Sequence, residues 1–194
     1  MKEVLLFGDS IRLSYQEMVK EQLADVANVS YPDENGRFAN YTLNSMRFWK
    51  ANFPEKVDLI HWNNGIWDIC DYYGEESCFT SLSDYIRDLK RIVNGMRYLY
   101  GNEVKIIFAL TTPQGDEKID ARVVEYNKAA VETLVPLGVE INDLYSVIAS
   151  NRKEYIYEDG MHLSPIAKPI AAKVVADKIK MYLQNSLLSK SIMQ

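Results

Sequence analysis

The sequence has little of several features that would assign a function at once. It holds two cysteines among 194 residues, and Cys70 and Cys78 form no C-x-x-C pair of the metal-binding or redox kind. Its 22 lysines and arginines are outnumbered by 27 aspartates and glutamates, and the formal net charge of -5 argues against nucleic acid as a partner. No group of residues has metal-ligand spacing, so we expect no metal and no cofactor.

Long apolar runs are also missing. No stretch approaches the roughly 18 residues that a transmembrane helix needs, so we expect no membrane partner. The chain starts Met1-Lys2-Glu3 and enters its first apolar run directly, without the pattern of a secretory signal. We therefore expect a cytoplasmic protein, unless a signal has already been removed, and the oligomeric state stays open.

Short apolar runs and helix-like segments alternate along the chain. The predicted strands cover residues 4–7, 29–31, 57–62, 104–110 and 139–141. The predicted helices cover residues 13–26, 40–51, 81–98, 120–134 and 165–183. This order predicts an α/β fold in which a five-stranded parallel sheet lies between two layers of helices. We expect one domain over residues 1–194, with the last ten or so residues frayed.

Polar and turn-forming residues follow each predicted strand, at the edge where open α/β sheets bind ligands. The first strand ends in Gly8-Asp9-Ser10, and Asp159-Gly160-Met161-His162 lies beyond the last. The intervening strands are followed by Glu34-Asn35-Gly36-Arg37, by Asn63-Asn64-Gly65 with Trp67-Asp68, and by Thr111-Thr112-Pro113.

Ser10 can be a helix cap or a nucleophile, and the histidines bear on that choice. The chain has two, and His61 lies within a predicted strand with no acid suitably placed after it. Asp159 precedes His162 by three residues, so its carboxylate can reach the imidazole. The other ring nitrogen is then free to take a proton from a serine.

Each of these residues has a plainer structural alternative. Asp9 or Ser10 can simply cap the first helix, and Asp159-Gly160 can be only a turn. The asparagines Asn63 and Asn64 can satisfy loop backbone groups. What favours catalysis is that all of them follow strands of one predicted sheet.

An acyl-transfer serine also needs hydrogen-bond donors for the developing oxyanion. The N–H of Ser10 would lie at a helix N-terminus, where the dipole favours negative charge. Gly36 can present a second N–H, and Asn63 or Asn64 can supply a side-chain amide.

These four blocks together resemble the SGNH (GDSL-type) hydrolases, a family of flavodoxin-like α/β esterases, acetylesterases, thioesterases and lipases. The resemblance runs from residue 3 to about residue 175, in the family's order. It implies Ser10 as nucleophile, His162 as base and Asp159 as the acid that orients it. It also implies an oxyanion hole made of the N–H groups of Ser10 and Gly36 with one asparagine.

The third block departs from the family pattern. The usual Gly-x-Asn-Asp reads Gly65-Ile66-Trp67-Asp68 here, with tryptophan in the asparagine position. The segment resembles a variant with the asparagine before the glycine, which favours Asn63 for the oxyanion hole and Asn64 second.

The predicted function is a serine esterase that removes short acyl groups, acetyl above all, from a carbohydrate or a similar small polar substrate. A thioesterase or lysophospholipase of the same fold is the alternative, and Trp67 favours a third, a glycan-binding module with weakened chemistry. Asp9, Arg37 and Trp67 are candidates for contact with the substrate. We expect the acidic residues Asp116, Glu117 and Asp120 in a solvated loop.

Overall fold

A parallel sheet runs through the middle of the protein in a computed structural model that describes the backbone of residues 1–192 and the side chains of residues 1–184. In this described part, the strands are β1 (Lys2–Phe7), β2 (Ala27–Ser30), β3 (Leu59–Trp62), β4 (Lys105–Ala109) and β5 (Glu140–Asn142). Their order across the sheet is β2-β1-β3-β4-β5, and every pair is parallel. The predicted α/β fold is therefore confirmed, with the flavodoxin-like strand order.

Helices cover both faces of the sheet. They are α1 (Ser10–Gln22), α2 (Ala39–Trp49), α3 (Ile66–Ile69), α4 (Leu82–Tyr100), α5 (Glu117–Leu134), α6 (Leu144–Ala149), α7 (Arg152–Tyr155) and α8 (Ala167–Ile192). Alternate residues of β1 enter different cores: Leu5 and Phe7 pack with α2, α4 and α5, whereas Val4 and Leu6 pack with α1, α6 and α8. The continuous apolar run of β1 follows from this burial on both faces.

The chain reverses its direction of travel across the sheet at β1. From β1 it moves outward to β2, then returns to place β3 on the other side of β1. The crevice between the carboxyl ends of β1 and β3 is thus a topological switch point, where folds of this class bind ligands.

Several helix boundaries differ from the sequence prediction because of capping. The first helix begins at Ser10 and not near residue 13, since the Asp9 side chain accepts the Ile11 N–H at 3.0 Å. The helix predicted from residue 120 begins at Glu117, because Asp116 accepts the N–H groups of Lys118 and Ile119. The short helices α3, α6 and α7 were not predicted, since four to six residues carry too little periodicity.

The cysteines, the helix lengths and the chain end bear on three further expectations. Cys70 and Cys78 are both free thiols. Within residues 1–192, none of the helices has the length and apolarity needed to cross a bilayer. The predicted fraying of residues 185–194 stays a prediction, because these residues lie wholly or partly outside the described part.

Small residues let α8 pack closely on the sheet and on α1. Four alanines of α8 are fully buried in the same core as Ile11, Tyr15 and Val19 of α1. They are Ala167, Ala171, Ala172 and Ala176.

We expect Ala172→Leu to lower the free energy of unfolding by about 1–3 kcal/mol, because the added carbons would force the packed layers apart. Lys173→Leu, on the exposed side of the same turn, should change it by less than about 0.5 kcal/mol. Urea denaturation of both variants measures this, and an equal effect would contradict close packing of α8.

Candidate active site

The turn between β1 and α1 presents the Ser10 side chain. Gly8 leaves the strand with a φ of 151°, and a Cβ there would lie 2.0 Å from the Asn63 Oδ1, so only glycine fits. Asp9 caps α1, and Ser10 is its first residue and is partly exposed. The Ser10 N–H is therefore one of the amides at the helix N-terminus that lack an intrahelical partner.

A hydrogen-bonded path connects Ser10 to an acid. The Ser10 Oγ lies 3.0 Å from the His162 Nε2, and the His162 Nδ1 lies 2.8 Å from the Asp159 Oδ2. With its proton on Nδ1, facing the carboxylate, the imidazole can accept the serine proton on Nε2. The structure brings together the three residues that the sequence analysis named as nucleophile, base and acid.

The Asp159 carboxylate also shapes the turn that holds it. Its Oδ1 accepts the N–H groups of Met161 and His162, both at 2.9 Å. Partial burial acts to raise the pKa of Asp159, but these two N–H groups and the His162 ring outweigh it and hold the pKa at about 2. The Asp159 carboxylate is thus ionised at neutral pH.

The loop after β4 supports this turn from the side. The Gly115 N–H donates to the Gly160 carbonyl at 2.7 Å, and a Cβ on Gly115 would lie only 3.0 Å from the Gly160 Cα. Gly160 itself has a φ of 75°. The two glycines thus allow two loops to touch through their backbones.

Asp120 anchors the Gly115 loop, and the expectation of a solvated acidic loop is wrong for this residue. Its carboxylate is buried, and it accepts from the Gln114 N–H at 2.9 Å, from the Tyr145 hydroxyl at 2.9 Å and from Arg152 at 2.5 Å. These partners are up to 32 residues away in sequence, so no local pattern pointed to them.

Gly36 does not offer the free amide that the sequence analysis expected. Its N–H donates to the Gly8 carbonyl at 2.8 Å, and a Cβ on Gly36 would lie 2.6 Å from that same oxygen. The structure therefore corrects the expectation that Gly36 offers a free oxyanion donor, because its N–H already donates to the Gly8 carbonyl. Its glycine character serves the close approach to Gly8.

Asn63 and Asn64 make different contacts. The Asn63 amide donates to the Asp9 Oδ1 at 2.7 Å, next to Ser10, and keeps a second N–H. Asn64 is fully buried and turns elsewhere: its amide donates to the Arg37 carbonyl, and its oxygen accepts from the Trp62 indole. Of the two, Asn63 contacts the turn that carries Ser10.

The candidates for substrate contact lie in different surroundings. Asp9 is fully buried, so its side chain is a cap and not a substrate contact, which corrects that prediction. Arg37 is exposed, with a φ of 49°, and its guanidinium lies 4.7 Å from the centre of the Tyr41 ring. Trp67 is half-buried, on α3.

Arg12 is a positioning residue that the sequence analysis missed. Although fully buried, its guanidinium donates to the carbonyls of Gly8, Pro32 and Glu34, and also bonds the Gln16 side chain. Burial lowers its pKa to about 10, so it remains a cation at neutral pH. Arg12 thus connects the Ser10 turn to the loop after β2. No local pattern indicates these bonds, because the carbonyls of Pro32 and Glu34 are distant in sequence.

Comparisons with known proteins bear on the fold. The sequence matches no family model and no curated protein. The lipase/acylhydrolase from Enterococcus faecalis superposes with a TM-score of 0.75 at 20% identity, over 94% of this chain and 97% of that one. The carbohydrate esterase family 3 protein from Talaromyces cellulolyticus gives 0.73 at 19%, over 95% and 99%. An acetylxylan esterase from Geobacillus stearothermophilus, a catalytic mutant, gives 0.74 at 16%, over 92% and 94%.

The chain has the SGNH-hydrolase fold. In this fold the Ser10 turn occupies the first strand end and the His162 loop precedes the last helix. Within residues 1–192 of this SGNH fold, no cluster of His, Cys, Asp and Glu is placed to hold a metal ion.

The buried Asp9 should make the stability of this SGNH fold depend on pH. Burial raises its pKa from 3.8 to about 6, against the hydrogen bonds from Ile11 and Asn63, which lower it. Since the folded pKa lies above the unfolded one, Asp9 contributes stability below pH 4 that is lost as the pH rises through about 6.

We expect Asp9→Asn to weaken that dependence. Between pH 4.5 and pH 8 the wild type should lose roughly 2 kcal/mol more unfolding free energy than the variant, at about 1.4 kcal/mol per tenfold change in acidity. Urea denaturation at the two pH values measures the difference, and parallel losses in both proteins would contradict this assignment.

Proposed function

We propose that the protein is a serine esterase that removes short acyl groups, acetyl in particular, from a carbohydrate or a similar small polar substrate. The observation that carries the proposal is the path from the Ser10 Oγ through His162 to Asp159, with contacts of 3.0 and 2.8 Å. Its position at the switch point of the sheet supports it. So does the fold, which is similar to those of a lipase/acylhydrolase and of carbohydrate esterases.

In the first half-reaction, the Ser10 Oγ attacks the ester carbonyl carbon while its proton passes to the His162 Nε2. The tetrahedral intermediate then collapses and the bond to the alcohol oxygen breaks. That oxygen takes the proton from the imidazolium, and the acyl group stays on Ser10. Asp159 keeps the imidazole oriented and stabilises its positive charge.

In the second half-reaction, a water molecule gives a proton to the His162 Nε2 and attacks the acyl carbon. When this intermediate collapses, the Ser10 Oγ recovers the proton and the carboxylic acid leaves. The same base thus serves both halves.

Negative charge on the carbonyl oxygen needs donors that are already in place. We assign the Ser10 N–H, at the positive end of the α1 dipole, as the first. The second N–H of the Asn63 amide, beyond the one given to Asp9, is the other. Gly36 would serve only after leaving the Gly8 carbonyl.

Ser10→Ala should lower kcat on p-nitrophenyl acetate by at least about 1,000-fold, because no nucleophile remains. Ser14→Ala is the matched control: its hydroxyl lies on the same helix and donates to the Ile11 carbonyl, so activity should be kept. Activity of Ser10→Ala equal to that of the control would overturn the mechanism. Failure of Ser10 in the wild type to react with a fluorophosphonate would favour the glycan-binding module instead.

Acyl preference separates the proposed esterase from a thioesterase or lysophospholipase. Across a series of p-nitrophenyl esters we expect the highest kcat/KM at acetate. A kcat/KM that rises steadily beyond about eight carbons would mean that the site binds a long chain, since each buried methylene adds about 0.8 kcal/mol.

The contact between Gly115 and Gly160 should matter for the rate. Gly115→Ala would push the turn that carries Asp159 and His162, and we expect kcat to fall about tenfold. Glu117→Ala, exposed on the next turn, should leave kcat unchanged. If the unfolding free energy of Gly115→Ala stays within about 1 kcal/mol of the wild type, the loss of kcat comes from displacement of the turn and not from instability.

A further inference from the structure

A continuous row of aromatic rings lies at the same edge of the sheet as Ser10, and we call it the aromatic row. Its ring centres are 6.1 Å apart for Trp67 and Tyr72, 5.2 Å for Tyr72 and Phe79, 5.3 Å for Phe79 and Phe38, and 6.1 Å for Phe38 and Tyr41. All four contacts are tilted or edge-on, the arrangements that aromatic pairs prefer.

Hydrogen bonds lead from the aromatic row to the turn of residues 8–10 that carries Ser10, which we call the nucleophile turn. The Asn63 amide donates to Asp9, which precedes Ser10, and the neighbouring Asn64 amide donates to the Arg37 carbonyl. The next residue after Arg37 is a member of the row. Two hydrogen bonds, with the peptide units that join Asn63 to Asn64 and Arg37 to the row, thus lead from the turn that carries Ser10 to the row.

A second set of bonds fixes the other side of the row. The Asp68 carboxylate, next to Trp67 in the chain, accepts the Ala39 N–H at 3.1 and 3.2 Å. The Thr80 N–H donates to the Asp68 carbonyl at 2.9 Å, and the Phe79 N–H donates to the Cys70 carbonyl at 2.8 Å. These two bonds close the base of the loop over residues 70–80, beside the end of α3.

The loop is also held from within. The Asp71 carboxylate accepts backbone N–H groups of three residues of the loop, Tyr73, Glu75 and Glu76. Arg122 of α5 donates to two carbonyls of the loop, those of Glu76 and Ser77, and to the carbonyl of Ile69 just before it. A loop with this many bonds presents its side chains in one arrangement before any ligand arrives.

Despite this bracing, two neighbouring rings of the row are not buried: Tyr72 is 45% exposed and Phe79 is 48% exposed. A loop that only sealed the core would place these rings inward. Half-exposed aromatic rings on a braced loop, at the edge of the sheet where Ser10 lies, are instead typical of a surface that binds a ligand.

The charges around the row indicate what kind of ligand fits. The loop carries three carboxylates, those of Asp71, Glu75 and Glu76. Two guanidinium groups lie near them: that of Arg122 donates to backbone carbonyls in and beside the loop, and that of Arg37 lies over the Tyr41 ring at the far end of the row. Around Tyr72 and Phe79 the carboxylates are therefore in excess, which disfavours the phosphates of a lysophospholipid or of a nucleotide-bearing thioester. The rings also lie open to solvent, so a long acyl chain would stay largely in water there. An uncharged ligand with one apolar face and a polar rim fits both observations.

We propose that the aromatic row binds a sugar ring of the substrate, with the apolar face of an uncharged pyranose against Tyr72 and Phe79. This inference rests on the proposed function, since it assigns the alcohol part of the ester to the row while Ser10 attacks the acyl part. The row selects the carbohydrate, and the nucleophile turn selects the acyl group.

The test compares a substrate with a sugar ring and one without. For the Tyr72→Ala/Phe79→Ala variant, the ratio of kcat/KM on acetylated xylo-oligosaccharides to kcat/KM on vinyl acetate should fall at least tenfold. Tyr72→Leu keeps apolar area but removes a ring, and should lower the ratio too. Tyr98→Ala, 89% exposed on α4, is the control and should leave the ratio unchanged. An unchanged ratio in the double variant would overturn the proposal.

A chain-length series tests whether the row holds the acyl part instead. If the double variant loses more kcat/KM on vinyl octanoate than on acetylated xylo-oligosaccharides, the row binds acyl chains and the proposal is wrong.

Binding without turnover separates this inference from the proposed function. In Ser10→Ala protein, titration with xylotetraose should give saturable binding that the two added alanines abolish. If the wild type hydrolyses no ester but this binding is seen, the esterase proposal fails and the sugar site stands. If the wild type hydrolyses acetyl esters but Ser10→Ala protein binds no saccharide, the esterase proposal stands and the row is not a sugar site.

Discussion

The close approach at Gly8 is the constraint on which the site depends. Its Cα lies against the Asn63 side chain, and its carbonyl accepts both the Gly36 N–H and the Arg12 guanidinium. The loops after β1, β2 and β3 therefore meet at one peptide unit. A side chain on Gly8 would separate all three, and Ser10, two residues on, would move with them.

The remaining half of the site depends on a second backbone contact, between Gly115 and Gly160. The loop after β4 and the loop between α7 and α8 meet there, and the Asp120 carboxylate accepts from the first loop and from Arg152 of α7. Ser10 and His162 thus come from two separately braced units, and the 3.0 Å contact between their side chains joins them. Bracing of this kind carries a cost in stability, since Asp9 and Arg12 are both buried and desolvation shifts the pKa of each toward its neutral form.

The sequence predicted what local patterns can express. Alternating strands and helices led to the parallel sheet, and a three-residue spacing sufficed to pair Asp159 with His162. It did not predict the role of Arg12, because that side chain bonds carbonyls 20 and 22 residues away. It was also wrong about the Gly36 amide, because a glycine that frees an N–H and one that permits close packing look the same in a sequence.

The tryptophan that departs from the family pattern acquires a physical reading from the aromatic row. In the usual Gly-x-Asn-Asp block, the residue before the aspartate would supply an amide to the oxyanion. In the proposed mechanism Asn63, before the glycine, supplies that amide, and its side chain contacts the turn that carries Ser10. Trp67 instead lies 6.1 Å from Tyr72 and forms one end of the row. If the row binds sugar, then an amide at position 63 and a ring at position 67 combine the chemistry proposed for Ser10 with recognition of the alcohol part of the ester.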